Sequence, residues 1–299
     1  MIRLLPLLLL AAASPAPFAV GTRGFATLQA AVDAIGGGTG TIVVAPGIYR
    51  QCAVQTAGRV TFRAAAPGKA VFERAICEDK AGLVLRGRGS HVDGLVFRGY
   101  AAADSIGAGI RTETGDLLVT NATFLDSELG IIGGTRNTQR VTIDRSTFSG
   151  LGRCRPDNCS HSLYLTSGTV TVTRSRFERG RGGHYVKLRA PRAIITDNSF
   201  DDSGGRMTSY MIDLPEGATG TIARNAFVQG GAKDNAGGMI VVRAEFLTYP
   251  SAGLSVSDND ATIVAQQPRG TSFVVDYSGD RLAIGANRLG EGVRRFEAR

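Results

Sequence analysis

One spacing of apolar residues recurs along most of the chain. An apolar residue is followed by four mostly polar or small residues and then by a second apolar residue. The segments with this spacing are Val92–Phe97, Val119–Phe124, Ile143–Phe148, Val172–Phe177, Ile195–Phe200 and Ile222–Phe227, with weaker copies at Val256–Ala261 and Ile284–Leu289. The Phe positions of the six strong copies lie 27, 24, 29, 23 and 27 residues apart. This regular but not rigid period predicts a solenoid whose coils carry loops of unequal length.

The composition of the repeats predicts strands. They are rich in Val, Ile, Thr and Phe, are punctuated by Gly, and lack a helical period of useful length. A small polar residue stands two positions before the second apolar residue, as Ser146, Ser175, Asn198, Asn225, Asn259 and Asn287. Asn tolerates the left-handed conformation of a tight corner, and stacked side chains can hydrogen-bond along a column. We therefore expect an all-β solenoid with a structural asparagine ladder.

The N-terminal end of the solenoid is predicted to carry a helical cap. A solenoid end exposes strand edges and an open core, which need covering. The segment Thr27–Ile35 supplies an N-cap at Thr27 and a helix with one apolar face. That face consists of Leu28, Ala31, Val32 and Ile35. Gly36–Gly40 then ends the helix, and Thr41–Tyr49 is typical of a strand, a turn and a second strand.

This entry segment resembles that of a known superfamily. Phe25–Val32, the glycine-rich break and Val44–Tyr49 are similar to the entry of pectate-lyase-like right-handed β-helix proteins, and the resemblance continues through the repeats to about Leu289. It implies a single-stranded right-handed parallel β-helix with a short N-terminal capping helix, forming one domain over residues 20–299. The superfamily includes polysaccharide lyases, glycoside hydrolases, uronan epimerases and binding proteins, so the fold leaves the activity open.

The first residues predict export. Met1–Arg3, the apolar run Leu4–Leu10 and the small residues Ala11–Ala13 have the three regions of a secretory signal peptide, which we assign to residues 1–19. The rest of the chain has no apolar run of about 18 residues, so no stable membrane insertion is expected after its removal. The predicted location is the periplasm or the outside medium.

The four cysteines fit an exported protein. Cys52 and Cys77 lie apart from the close pair Cys154 and Cys159, which predicts two local disulfides. Buried free thiols are the alternative. A zinc site is poorly supported because no second pair stands at finger spacing.

The charge favours an anionic partner. The formal net charge is +8, and the chain contains no Trp. Export and the lack of a nucleic-acid motif argue against nucleic acid, which leaves an acidic polysaccharide or oligosaccharide, or simply a solvated basic surface. We expect no cofactor. A calcium site would need clustered carboxylates, and the sequence shows none. We also expect a monomer.

One coil carries unusual side chains on its predicted outer face. Strand side chains alternate, so when Leu163, Val186 and Ile212 face the core, their neighbours face solvent. The outward column is then Tyr164, Lys187 and Asp213, about 4.8 Å apart by strand stacking, with Arg189 on one side and Tyr185 on the other. His161 and His184 occupy equivalent places in adjacent coils and are expected to stack at the edge of this patch.

These groups suit β-elimination on a uronate-containing glycan. Removing the proton beside a carboxylate creates further negative charge, so a cation must neutralise the carboxylate while a base approaches the carbon. Arg189 suits the first role because its planar fork binds carboxylates. Lys187 is the first candidate base, with Tyr164 or a histidine as acid. Since Asp213 opposes a low lysine pKa, His184 or Tyr164 could be the base instead.

The same patch is also compatible with other interpretations. Arg243, with Glu245, could extend a sugar-binding groove or merely solubilise the sheet, and Lys187 with Asp213 could be a surface ion pair of little value. A non-catalytic glycan-binding or surface β-helix is the first alternative function. A hydrolase or an epimerase is the second, although a hydrolase needs two carboxyl groups and the predicted patch offers only Asp213.

Overall fold

The predicted solenoid is the observed architecture. A computed structural model describes residues 16–156, 158–264 and 270–299, and in it the chain forms a parallel β-helix of about nine coils. Each coil contributes a strand to each of three long sheets, here called the A, B and C sheets. The fold is all-β apart from one short helix among the described residues.

The A sheet has twelve strands and is parallel except at its N-terminal edge, where the first two strands are antiparallel. In spatial order its strands are Arg23–Phe25, Phe18–Val20, Thr39–Val44, Arg59–Ala64, Gly89–Asp93, Asp116–Thr120, Arg140–Asp144, Thr169–Thr173, Arg192–Thr196, Thr219–Ala223, Ser255–Ser257 and Ala283–Ile284.

The B sheet has ten parallel strands. They are Gly47–Tyr49, Ala70–Glu73, Leu95–Arg98, Thr123–Leu125, Thr147–Ser149, Arg176–Glu178, Ser199–Asp201, Ala226–Gln229, Asp260–Ile263 and Arg288–Leu289. The second apolar residue of each strong repeat points inward from this sheet, and its rings form one column: Phe97, Phe124, Phe148, Phe177, Phe200 and Phe227. Their centroids lie 4.8 to 5.2 Å apart. Full burial stabilises the fold by roughly 2 kcal/mol for each ring.

The C sheet also has ten parallel strands. They are Ala53–Gln55, Ala81–Leu85, Ala108–Thr112, Leu129–Gly133, Leu163–Leu165, Val186–Leu188, Ile212–Leu214, Gly238–Val242, Thr271–Asp276 and Val293–Ala298. A separate antiparallel hairpin of Cys154–Arg155 and Asn158–Cys159 projects from the loop before the fifth of these strands.

The asparagine ladder is confirmed. The Nδ2 of Asn198 donates to Oδ1 of Asn225 at 3.0 Å, and Asn225 donates in the same way to Asn259. Asn259 continues the column to Asn287 at 2.9 Å, and at the other end the N–H of Ser175 donates to Oδ1 of Asn198. Each side chain thus replaces backbone partners at the corner between the A and B sheets, where the chain turns too sharply to pair with itself.

The capping helix is also confirmed. It spans Leu28–Ile35, and the Thr27 hydroxyl accepts the N–H of Ala30 at 3.2 Å. Leu28, Ala31 and Val32 are buried against the first coil, and Ile35 packs against the same core. The helix therefore closes the apolar interior at this end.

Both predicted disulfides are present, as Cys52–Cys77 and Cys154–Cys159. The signal-peptide prediction concerns residues 1–19, of which 1–15 lie outside the described residues. The solenoid itself begins at Phe18, whose ring is fully buried, two residues before the predicted boundary. In the described part of the chain, no helix has the length and hydropathy that crossing a bilayer requires.

Candidate functional site

The predicted central column lies on the C sheet in the predicted register. Tyr164 pairs with Lys187, and Lys187 pairs with Asp213, on three consecutive strands. The flanking Leu, Val and Ile side chains of these strands are buried in the core, which turns the three polar side chains to the outer face. The Lys187 Nζ lies 3.3 Å from Oδ2 of Asp213 and 5.8 Å from the Tyr164 ring centroid.

A second column contains the stacked histidines that the sequence predicted. The rings of His161 and His184 lie 4.9 Å apart, and Tyr210 continues the stack at 5.1 Å from His184. The Nδ1 of His161 accepts the N–H of His184 at 3.0 Å, and the Nδ1 of His184 accepts the N–H of Tyr210 at 3.1 Å. A neutral ring whose Nδ1 accepts must carry its proton on Nε2. The Nε2 of His184 lies 3.4 Å from Oδ2 of Asp213.

A glycine makes this close approach possible. Gly183 has φ +60, and a Cβ there would lie 2.5 Å from Nδ1 of His161 and 2.3 Å from the carbonyl oxygen of Ser160. Only glycine allows the backbone before His184 to pass so near the preceding coil. Gly183 is thus a requirement of the histidine stack.

The prediction that Tyr185 faces outward is wrong. Tyr185 is 1% exposed and belongs to the core, because two consecutive residues, Tyr185 and Val186, both point inward. Strict alternation therefore fails at the entry to this strand. The Tyr185 hydroxyl donates to Asp202 at 2.7 Å, and Asp202 also accepts Lys233 Nζ at 2.9 Å in a buried ion pair. Tyr185 and Asp202 are internal structural groups, out of reach of a polymeric ligand.

Arg189 joins the central column through Tyr164. Its Nε donates to the Tyr164 hydroxyl at 2.9 Å, and its Nη1 donates to Glu216 at 2.9 Å. Its Nη2 donates to Glu245, which also accepts Lys187 Nζ at 2.6 Å. The side chains of Lys187 and Arg189 thus hold one carboxylate between them, beside the tyrosine.

The segment Arg243–Pro250 folds over this wall and supplies Glu245. The ring of Phe246 lies 5.8 Å from Cζ of Arg189, and the Tyr249 hydroxyl donates to Oδ1 of Asn137 at 3.1 Å. We name this segment the cover loop. Its tip is exposed at Phe246 and Leu247.

Two expectations about the openness of the site need correction. Lys187 is 8% exposed and Asp213 is 2% exposed, so the predicted water-facing wall is covered. The cause is the cover loop, whose Glu245 reaches back across the sheet. Arg243 does not extend a groove beside these groups, because its guanidinium turns to Asp280 at 3.2 Å, one coil further on.

The electrostatics of the two histidines follow from burial. Burial, helped by the positive charges of Lys187 and Arg189, lowers the pKa of His161 to about 3. Burial, together with the neighbouring His161 ring and the charge of Lys187, also holds the pKa of His184 well below its ordinary value. Both rings are neutral at pH 7, and each presents an Nε2–H donor.

The carboxyl groups differ from one another. Burial raises the pKa of Asp213 to about 6 against the attraction of Lys187. Burial acts to raise the pKa of Glu245 too, but hydrogen bonds from Lys187 and Arg189 outweigh it and the pKa is lowered. The pKa values of Asp213 and Glu245, which both bind Lys187, are therefore shifted in opposite directions.

Three members of this cluster, Arg136, Tyr210 and Glu216, were not predicted from the sequence. Glu216 accepts both Arg189 and Arg136, and the hydrogen bond from Arg136 is the main reason that its pKa falls to about 2. Tyr210 completes the ring stack. These residues lie in connecting loops, where no repeat fixes a position. The one available indication was the polar loop composition after each C-sheet strand. Among the described residues, no group of three His, Cys, Asp or Glu side chains is arranged to hold a metal ion.

Comparisons with known proteins identify no family for this chain. No family model matches the chain, and no curated protein matches it. A solved structure, ORF18 of Geobacillus virus E2, is similar over 87% of this chain at 12% identity, with a TM-score of 0.44. The match covers 50% of that chain, so this chain spans about half its length.

Proposed function

We propose that this protein acts by β-elimination on an acidic, uronate-containing glycan at the C-sheet cluster. The observation that carries the proposal is the carboxylate of Glu245, held between Lys187 and Arg189 and next to Tyr164. The site already accommodates the group that a uronate would present. A substrate carboxylate would take the place of Glu245 after displacing the cover loop.

The two cations supply the first requirement of elimination. Removing the proton beside a carboxylate places more negative charge on that carboxylate in the transition state. Lys187 and Arg189 converge on one carboxylate, which is the arrangement that stabilises such charge. Lys187 bridges two carboxylates, Asp213 and Glu245, so we assign it to carboxylate binding and not to proton transfer.

Tyr164 is the proposed base. The two imidazoles are unsuitable because their Nδ1 lone pairs accept backbone N–H groups. The phenol of Tyr164 is the most exposed group of its column, and Arg189 donates to its oxygen. Its phenolate would take the proton from the carbon beside the carboxylate. The released electron pair would form the carbon–carbon double bond as the glycosidic C–O bond breaks, and the same phenol would return the proton to the leaving oxygen.

Hydrolysis is a second candidate, favoured by one observation. Asp213 Oδ2 and Glu245 Oε1 lie 3.3 and 2.6 Å from Lys187 Nζ, so they can be no further apart than the sum of these distances, about 5.9 Å. A retaining hydrolase uses two carboxyl groups about 5 to 5.5 Å apart, one of them with a raised pKa. Asp213 would be the acid and Glu245 the nucleophile.

The proposal also includes a fold family and a cellular location. The parallel solenoid, the helical cap and the two disulfides support a pectate-lyase-like β-helix that is exported to an oxidising compartment.

The test is incubation of the protein with polygalacturonate and with alginate, following both ultraviolet absorbance of unsaturated product and new reducing ends. Elimination predicts both signals together, and Tyr164→Phe should lower the rate at least about 100-fold. Tyr277→Phe is the matched control, because Tyr277 also carries a hydroxyl bonded to an arginine, Arg299, at 2.8 Å. It should keep the wild-type rate.

Two other results would redirect the assignment. Reducing ends without absorbance, lost in Asp213→Asn and Glu245→Gln, would establish hydrolysis and reject elimination. Saturable binding of either polymer with neither product would identify a binding protein and reject both reactions.

A further inference from the structure

The outer face of the A sheet carries three arginines in one column. Arg59, Arg140 and Arg192 occupy the same outward position on their strands, by the continuous register of this sheet. Three strand steps separate the first two and two steps separate the last two. At about 4.8 Å for each step, the guanidinium groups can be spaced about 14 and 10 Å apart along the solenoid axis.

The guanidinium groups of these arginines have no internal partner within the described part of the chain. Among the residues that the structure describes, none of the three guanidinium groups has a hydrogen bond or a salt bridge, and all three residues are exposed. The arginines on the B-sheet strands behave differently. Arg98 pairs with Glu73, Arg176 with Glu178, and Arg288 with Asp260. The B-sheet wall neutralises its own cations, and the A-sheet wall leaves these three available.

The surface beside the arginines is flat and carries hydroxyl groups. The neighbouring outward column contains the threonines Thr41, Thr61, Thr142, Thr171 and Thr221, interrupted by His91, Leu118 and Ile194. A shallow cleft of about 460 Å³ runs over this area, lined by Arg59 and Arg140 together with His91 and Leu118. Hydroxyls and aliphatic side chains at this spacing suit the polar edges and C–H faces of sugars.

The acidic groups of the same face are largely occupied. Asp116 lies in the arginine column and accepts the N–H of Arg140 at 2.9 Å. Asp93 accepts Thr120, and Asp144 pairs with Arg174, in the column on the far side of the threonines. Asp93 and Asp116 form no salt bridge among the described residues, and the three arginines outnumber these two carboxylates, so the net unpaired charge of these columns is positive.

We propose that the A-sheet face binds a linear anionic glycan that lies along the solenoid axis, with its carboxylates on Arg59, Arg140 and Arg192. Arginine binds carboxylates through paired N–H donors. Single-stranded nucleic acid is the competing polyanion, but its sites combine positive charge with aromatic stacking platforms. The outward positions of the two columns described above hold no Phe or Tyr, and His91 is their single ring. This face is a different wall from the C-sheet cluster, so the proposal stands whether or not that cluster is catalytic.

The test compares two triple variants that lose the same formal charge. Arg59→Gln/Arg140→Gln/Arg192→Gln removes the A-sheet column, and Arg98→Gln/Arg176→Gln/Arg288→Gln removes three paired arginines of the B sheet. Binding of polygalacturonate is measured at two salt concentrations in the Tyr164→Phe background, so that cleavage does not consume the probe. We expect the A-sheet triple to weaken binding about tenfold and to reduce its salt dependence, while the B-sheet triple changes affinity less than twofold.

The outcomes separate this face from general charge effects and from the C-sheet site. Equal weakening by both triples, or no weakening by the A-sheet triple, would overturn the proposal. Tighter binding of an oligothymidylate than of polygalacturonate would also overturn it. Thermal unfolding of both triples checks their folding, and the single variant Arg140→Gln, with a smaller expected loss, replaces the A-sheet triple if that variant does not fold. Failure of Tyr164→Phe to abolish product formation would bear on the proposed reaction alone.

Discussion

The backbone N–H of His184 donates to Nδ1 of His161, one coil earlier, across 3.0 Å. Since the N–H of Tyr210 repeats this contact on His184, each imidazole replaces a backbone acceptor on the outside of the C sheet. Protonation of Nδ1 would turn an acceptor into a donor facing another donor. The stack is therefore compatible only with neutral histidines, in agreement with their lowered pKa values.

The first prediction is that His161 makes stability depend on pH. Its pKa is about 3 in the folded protein against about 6.5 unfolded. The unfolded chain binds the extra proton, so this contribution to stability is complete above pH 6.5 and is lost as the pH falls toward 3. Between pH 6.5 and pH 4 the loss is about 3 kcal/mol. Urea denaturation of the wild type and of His161→Gln at both values measures it. A variant with an unchanged pH slope would contradict the account.

Asp213 is predicted to act in the opposite direction. Because burial raises its pKa to about 6, its contribution is present below the unfolded value of 3.8 and is lost as the pH rises through 6. Asp213→Asn should therefore gain stability relative to the wild type as the pH rises from 4 to 7. Urea denaturation across this range, with the exposed Asp116→Asn as control, measures the difference. If the stability difference between Asp213→Asn and the wild type stayed constant or fell as the pH rose, burial would not be raising the pKa of Asp213.

The contact between coils at Gly183 gives a third prediction. Gly183→Ala combines a positive φ with overlap on the Ser160 carbonyl and on His161. Gly279→Ala is the matched control, since Gly279 has φ +69 with nothing within 4 Å of the added carbon. We expect about 1 kcal/mol of destabilisation for Gly279→Ala and at least about 2 kcal/mol more for Gly183→Ala, measured by urea denaturation. Similar losses at the two positions would mean that the coils can separate at little cost.

The fourth prediction concerns the asparagine ladder. Asn225 makes buried side-chain bonds to both coils that flank it, whereas Asn287 lies at the partly buried end of the column. Asn225→Ala leaves several buried groups without partners and should cost about 3 kcal/mol, compared with about 1 kcal/mol for Asn287→Ala. Thermal unfolding of the two variants compares them directly. Equal losses would indicate that the ladder does not act through buried hydrogen bonds.

The repeat made most of the fold and part of the site predictable. Apolar residues on both sides of Tyr164, Lys187 and Asp213 fix which way these side chains point, and parallel stacking fixes their order. The same period explains the Phe column and the ladder. Side-chain direction, strand order, the Phe column and the ladder recur in successive coils, so the sequence repeat predicts them.

The remaining features of the site depend on departures from the period. Tyr185 and Val186 are successive residues that both face the core, and a pattern of strict alternation cannot predict such a pair. Glu216 and Glu245 reach the cluster from connecting loops, whose paths are set by contacts such as that of Tyr249 with Asn137. The burial of Lys187 follows from the cover loop and not from its own strand.

The last prediction tests the role of the cover loop, and it rests on the proposed function. Glu245 accepts Lys187 and Arg189 in the position that a substrate carboxylate would need. Glu245→Gln removes the charge with little change of shape, so it should weaken the hold of the loop and free both cations. We expect the affinity for trigalacturonate, measured by calorimetry, to rise about tenfold, since one charged competitor for two charged hydrogen bonds has been removed. Glu297→Gln is the matched control, because Glu297 also joins two arginines on a C-sheet strand but lies at its far end. If Glu245→Gln bound trigalacturonate no better than the wild type and Glu297→Gln, the Glu245 carboxylate would not be a competitor of the substrate. The cations would then serve to anchor the loop.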